Sequence, residues 1–170
     1  LARAIQLEFV DEETPLGTAG PLPLLANLPE NFLVMNGDIL TTLDYRRFFE
    51  YHLAGDSLLT IAGHRKTVDL DLGVLQLTGH QVTGYLEKPK YVYPVSMGVY
   101  MYRRSALAYI PRNRRFDLPD LVHSLLAQNQ PVGCQETDAL WLDIGRREDY
   151  AAAQEIFQNH RHQFQLGNWD

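Results

Sequence analysis

The chain has 170 residues, 45% of them apolar and 21% charged. That balance excludes disordered and collagen-like classes and suits one domain with a real core, residues 1–170. Fifteen basic against 21 acidic residues give a net charge of −6, the wrong sign for a general nucleic-acid binder. The nearest basic run, Arg112, Arg114 and Arg115 with Arg103 and Arg104 upstream, is short and reads as a solvated loop. No stretch approaches the roughly 20 apolar residues of a membrane helix, so no membrane partner is expected. The start carries no signal-peptide pattern, and the lone Cys134 cannot close an internal disulfide, which points to a reducing, cytoplasmic setting.

Segments alternate between strand-like and helix-like along the chain, predicting an α/β layered domain. Ile5–Val10 alternates as a strand does, and because the chain begins at Leu1 it looks cut into a longer pattern. Pro15–Gly20 is a glycine-punctuated loop, and Pro21 opens a helix whose apolar face is Leu22, Leu24, Leu25 and Leu28. Phe32–Met35 reads as a strand buried on both faces, ending at Asn36-Gly37-Asp38. Thr42 or Asp44 caps a helix carrying Tyr45, Phe48, Phe49 and Leu53 on one side, closed by Gly55. Ser57–Ala62 is another buried strand. Val74–Leu77 and Val82–Leu86 form a hairpin, Val95–Tyr102 a strand, and Ser105–Ile110 a short helix. Asp117, Pro119 and Asp120 open a helix that turns Leu121, Val122, Leu125 and Leu126 inward. Val132–Gln135 and Leu140–Leu142 are short strands, and Glu148–Phe164 is a closing helix.

Ligands of a parallel sheet bind at the carboxyl ends of its strands. Asp38 and Asp143 each follow a short apolar run, so from strands distant in sequence they could converge on one divalent cation. Mg²⁺ accepts such a small set of hard oxygen ligands, completed by phosphate oxygens. Each aspartate also neighbours a glycine and could simply order that turn. Glu87-Lys88-Pro89 ends the hairpin; there Lys88 can meet a phosphate and Glu87 hydroxyls, or the two can form a plain surface ion pair. Gly17-Thr18-Ala19-Gly20 offers backbone N–H groups ahead of a helix. The six histidines show no zinc-like spacing with Cys134, and the sequence holds neither a P-loop nor Gly-x-Ser-x-Gly.

In order, these pieces resemble the sugar-phosphate nucleotidyltransferase superfamily. Pro15-Leu16-Gly17-Thr18-Ala19-Gly20-Pro21-Leu22 is similar to its base-binding loop, and Met35-Asn36-Gly37-Asp38 to its metal-binding strand end. Glu87-Lys88-Pro89 resembles the sugar-phosphate loop, and Met97-Gly98-Val99-Tyr100 the strand lining the sugar pocket. Trp141-Leu142-Asp143-Ile144-Gly145, with Glu148-Asp149-Tyr150, resembles the closing motif that carries the second metal ligand. The resemblance implies a nucleotide-binding three-layer α/β domain with a mixed, mostly parallel sheet. It also implies an enzyme that joins a sugar 1-phosphate to a nucleoside triphosphate and releases pyrophosphate.

The implied roles follow residue by residue. Asp38 and Asp143 hold Mg²⁺ and, with Lys88, are catalytic. Gly17, Thr18, Asn36 and Gly37 meet the nucleotide. Gly73, Glu87, Lys88, Ser96 and Gly98 meet the sugar phosphate, the glycines standing where a ligand approaches too closely for a Cβ. Ser96 replaces an asparagine of some members. The resemblance leaves base, sugar and any homo-oligomer open.

Members begin with a Gly-rich loop bearing an arginine and a downstream lysine, whereas this sequence contains no Gly-x-Gly. The family's N-terminal strand and cradle are therefore expected to be absent, leaving the fragment inactive by itself and marginally stable through unpaired strand edges. Two alternatives stand beside this reading. One is a metal-dependent glycosyltransferase of related fold using Asp69-Leu70-Asp71, in a stretch (Lys66–Leu72) that otherwise reads as a solvated turn. The other is a non-catalytic regulatory subunit of the superfamily.

Overall fold

The computed structural model describes residues 7–145 and 147–164. The elements run β1 (Asn31–Met35), β2 (Ile39–Thr41), α1 (Tyr45–Ala54), β3 (Leu59–Asp69), β4 (Val74–Thr78), β5 (Gln81–Leu86), β6 (Lys90–Arg103), α2 (Leu118–Ala127), β7 (Val132–Thr137), β8 (Trp141–Asp143) and α3 (Arg147–His160). Short 3₁₀ turns cover Leu22–Leu24, Arg104–Tyr109 and Arg161–Gln163.

The main sheet has the order β1-β6-β3-β7. β3 and β7 pair in parallel, while β6 runs antiparallel to both of its neighbours. The sheet is mixed, but among the described residues it is not mostly parallel. The reason lies in the connections. β3 and β6 are joined through the β4–β5 hairpin, which reverses the chain, whereas β7 is reached through a helical crossover, the connection a parallel pair requires. β1, β3 and β7 therefore point one way and β6 the other. β2 pairs with β8, and β4 with β5, as separate two-stranded ribbons.

Alternation along β6 divides the interior into two layers. Tyr100 and Tyr102 join Phe32, Leu59, Leu121 and Leu125 on one side; Val99 and Met101 join Phe48, Leu43 and Ala62 on the other. Local signals account for both helix starts. The Asp44 carboxylate accepts the Arg47 N–H at 3.0 Å to cap α1, and Gly55 ends that helix. Asp117 and Asp120 form a reciprocal capping box at α2. Inward positions differ slightly from expectation: Phe48 and His52 are the buried pair of α1, while Phe49, Leu53 and Leu126 are partly exposed.

Three expected elements come out otherwise. Of the expected opening strand, residues 5 and 6 lie outside the described part and residues 7–10 form no strand; Leu7 and Phe9 are 74% and 88% exposed. An alternating pattern becomes a strand only where it finds a ladder partner. The expected helix after Pro21 is a single 3₁₀ turn. β1 is an edge strand among the described residues and is covered on one face only: Phe32 and Val34 pack into the core, while Leu33 and Met35 on the other face are exposed.

Candidate functional site

Asp38 follows the carboxyl end of β1, and Asp143 ends β8. The β2–β8 ribbon brings them together. Its register sets Ile39 opposite Asp143, and the Ile144 N–H donates to the Asp38 carbonyl at 2.9 Å. Thr41 and Thr42 fasten the other end, their hydroxyls bonding the Leu140 C=O at 2.8 Å and the Leu140 N–H at 3.0 Å. Both carboxylates reach the same spot beside Gly145. A Cβ built on that glycine would lie 3.1 Å from Asp38 Oδ2 and 3.2 Å from Asp143 Oδ1, so the two oxygens are no more than about 6.3 Å apart. The Gly145 N–H also donates to Asp143 Oδ1 at 3.1 Å, fixing that carboxylate.

Asp143 comes from an antiparallel ribbon, and not from the parallel sheet in which it was expected. Two exposed carboxylates with no third His, Cys, Asp or Glu beside them among the described residues suit a hard cation that keeps most of its shell for water and phosphate.

Beside the pair is a cavity of about 190 Å³ lined by Asn36, Ile39, Ser96, Met97, Gly98, Tyr100, Trp141 and Asp143. Its polar floor is built by β6. Ser96 Oγ lies 3.0 Å from the Tyr100 hydroxyl and accepts the Gly98 N–H at 3.3 Å. Burial pushes the Tyr100 hydroxyl above its ordinary pKa, with the Ser96 hydrogen bond pulling the other way, so this phenol stays protonated. The Trp141 indole N–H donates to the Met97 carbonyl at 2.9 Å and fixes one wall. Sequence reasoning quoted Tyr100 and Trp141 within motifs of the resemblance but singled out neither as a site residue. For Tyr100 a signal existed, since it stands four residues beyond Ser96 in a strand, where alternate residues share a face.

At Gly98 the chain's own backbone and packing already favour glycine. Gly98 has φ +73°, and a Cβ there would meet Ile39 Cδ1 at 2.5 Å and Asn36 Nδ2 at 2.9 Å. Its carbonyl accepts the Asn36 N–H at 2.9 Å, which ties β6 to the Asn36-Gly37-Asp38 turn. A Cβ on Gly17 (φ +83°) would meet Asp117, and one on Gly73 the Tyr85 hydroxyl, while one on Gly37 would stand in open space.

The Gly17–Gly20 loop is bolted to the start of α2. Leu118 N–H donates to Thr18 Oγ1 at 2.8 Å, and Thr18 N–H donates to Asp117 Oδ1 at 3.0 Å. Neither Gly17 nor Thr18 lines the Asp143 cavity, and neither do Gly73, Glu87 and Lys88.

Lys88 is exposed, and its ammonium lies 2.6 Å from Asp71 Oδ1, so its ion-pair partner is Asp71 and not the neighbouring Glu87. Lys90 pairs with Asp69 at 3.6 Å, and the Leu70 N–H donates to the Pro89 carbonyl at 3.1 Å. Asp69-Leu70-Asp71 and Lys88-Pro89-Lys90 thus form one clasp. This corrects the turn reading, since β3 continues through Asp69; the long ladder with β6 extends it. It also occupies both aspartates that the glycosyltransferase alternative needs. Lys88 holds φ +44°, a left-handed conformation that costs a non-glycine residue about 1–2 kcal/mol. An exposed ion pair contributes only about 0–1 kcal/mol, so the contact with Asp71 does not by itself offset that strain.

A mixed sheet covered on both faces, with paired carboxylates and a polar cavity beyond the end of β1, defines an α/β domain with its ligand site at the strand ends. Residues 2–160 match the family described as Nucleotidyl transferase, and the chain belongs to that family. It is similar to the mannose-1-phosphate guanylyltransferase of Mycobacterium tuberculosis, 28% identical over 156 residues that cover 88% of this chain and 44% of the relative. The mannose-1-phosphate guanylyltransferase catalytic subunit beta of Dictyostelium discoideum is 24% identical over 163 residues, 91% of this chain and 45% of that protein. The chain thus spans less than half the length of these curated relatives. Among solved structures, HddC from Yersinia pseudotuberculosis complexed with GMP-PN aligns with a TM-score of 0.57 at 27% identity, covering 88% of this chain and 66% of that one. No described helix is long and apolar enough to cross a membrane.

Proposed function

We propose that this chain supplies the metal and sugar-phosphate side of a cytoplasmic nucleotidyl transfer that joins a sugar 1-phosphate to a nucleoside triphosphate and releases pyrophosphate. The observation that carries the reading is the approach of Asp38 and Asp143 to one point beside Gly145, next to the Ser96 cavity. The names of the similar proteins favour a guanosine triphosphate and a mannose-type hexose 1-phosphate.

Asp38 and Asp143 would hold Mg²⁺, which when bound neutralises charge on the phosphate oxygens as the α-phosphorus is attacked. Lys88 would hold the sugar phosphate as a point charge, and Glu87 would accept hydrogen bonds from sugar hydroxyls. Ser96 and the Gly98 backbone would line the sugar. Asn36, Gly37 and the Gly17-Thr18 backbone would meet the nucleotide; the Thr18 oxygen already accepts one N–H and keeps its own proton to donate. Such a transfer depends on positioning and charge more than on covalent chemistry. With no Gly-x-Gly to cradle a triphosphate, the 170 residues alone would bind metal and sugar phosphate without measurable turnover.

The test is a Mg²⁺ titration by calorimetry, with Mn²⁺ as a paramagnetic check. Asp38→Asn and Asp143→Asn should each weaken binding by about tenfold or more, since one of two anionic ligands is lost. Asp69→Asn should leave it unchanged. Loss of metal binding on changing Asp69, with Asp38 and Asp143 dispensable, would overturn the reading in favour of the Asp-x-Asp alternative.

A further inference from the structure

We propose that Asp71 is an internal stand-in for the sugar phosphate, holding the Lys88 ammonium until a phosphate dianion displaces it. The proposal rests on the reading of Lys88 as a sugar-phosphate ligand and adds the residue that controls its availability. Asp71 Oδ1 lies 2.6 Å from Lys88 Nζ, and the Asp71 side chain is otherwise 86% exposed. A lysine ammonium is a compact point charge with rotatable donors, so one oxyanion can replace another on it without any rearrangement of the backbone. The Asp71 carboxylate can then swing into water, where it is readily solvated.

The surrounding clasp keeps this exchange in register. Lys90 with Asp69 at 3.6 Å and the Leu70 N–H on the Pro89 carbonyl at 3.1 Å hold the two segments together while the Lys88–Asp71 contact opens. Lys88 itself stands in the left-handed region, immediately before Pro89. A carboxylate carries one negative charge and a sugar 1-phosphate close to two, so the incoming ligand wins the exchange. Asp71 returns to Lys88 when the ligand leaves. Asp71 is in this sense a positioning residue that lowers affinity.

The experiment is calorimetric titration of the chain with mannose 1-phosphate, alongside Asp71→Asn, Asp71→Glu and Lys88→Met. Removing the competing charge should tighten binding about two- to fivefold in Asp71→Asn, the range set by the population of an exposed pair. Asp71→Glu should restore the original affinity, and Lys88→Met should weaken it. Acylation gives a second readout on a chain whose three lysines are Lys66, Lys88 and Lys90. Lys88 should react faster in Asp71→Asn than in the unchanged chain, and mannose 1-phosphate should protect it in both. Unchanged or weaker binding in Asp71→Asn, with Lys88→Met still impaired, overturns the stand-in role alone. Unaltered binding in Lys88→Met, or no binding in any variant, overturns the reading of Lys88 and the stand-in role with it.

Discussion

Replacing Thr18 by alanine removes the acceptor for the first N–H of α2. Leu118 opens that helix, so its N–H has no partner within the helix, and Thr18 Oγ1 serves it from 100 residues away at 2.8 Å. Leu118 is buried, and an orphaned buried donor costs about 1–3 kcal/mol. A mid-range loss of about 2 kcal/mol, at about 2–4 °C per kcal/mol for a chain of this size, lowers Tm by about 4–8 °C. The Thr18 N–H bond to Asp117 involves backbone and survives the change. Thr18→Ser keeps the oxygen and should lose less than half as much. Thermal unfolding followed by far-ultraviolet circular dichroism measures all three chains. An alanine variant that melts within about 1 °C of the parent, or a serine variant as damaged as the alanine one, would refute the argument. The loop would then be free to serve a ligand alone.

Three further outcomes follow from the same geometry. Gly98→Ala should cost about 1–2 kcal/mol in urea denaturation, chiefly because φ +73° strains a non-glycine backbone, with Ile39 Cδ1 at 2.5 Å a side-chain end that can shift; a loss below about 0.5 kcal/mol would contradict it. Gly145→Ala, whose methyl would stand between the carboxylates at 3.1 and 3.2 Å, should weaken Mg²⁺ binding about tenfold while shifting Tm little. His52 is buried with Nδ1 2.7 Å from Thr60 Oγ1 and Nε2 without a partner among the described residues. Burial first, and then the Arg103 charge, lowers its pKa below the ordinary 6.5. The unfolded chain therefore takes up this proton before the folded one, and stability falls as pH drops below about 6.5 until the folded value is passed. In His52→Gln that acid limb should be shallower, and an unchanged limb would exclude His52 as its source.

Much of the fold was legible because its signals are local. Asp44 and Gly55 bracket α1, and Asp117 with Asp120 opens α2, through contacts within three or four residues. The β4–β5 hairpin followed from two apolar runs around Thr78-Gly79-His80-Gln81. The opening alternation at Leu7–Val10 misled for the complementary reason, since a strand also needs a neighbour that the pattern does not specify. β2 went unrecognised because three residues carry too little periodicity to register.

Residue chemistry alone singled out Asp38, Asp143 and Lys88 as the charged groups at segment ends. Only the three-dimensional chain decided what each one meets. Asp38 and Asp143 approach because β2 and β8 pair in one register, and a slip of one residue would turn their side chains to other faces. Lys88 meets Asp71 because β3 and β6 form a long ladder that brings their far ends together. Capping and periodicity act over a few residues, whereas register is settled by packing between segments that lie from 17 positions (Asp71 and Lys88) to 105 positions (Asp38 and Asp143) apart, which the linear order of residues does not encode locally.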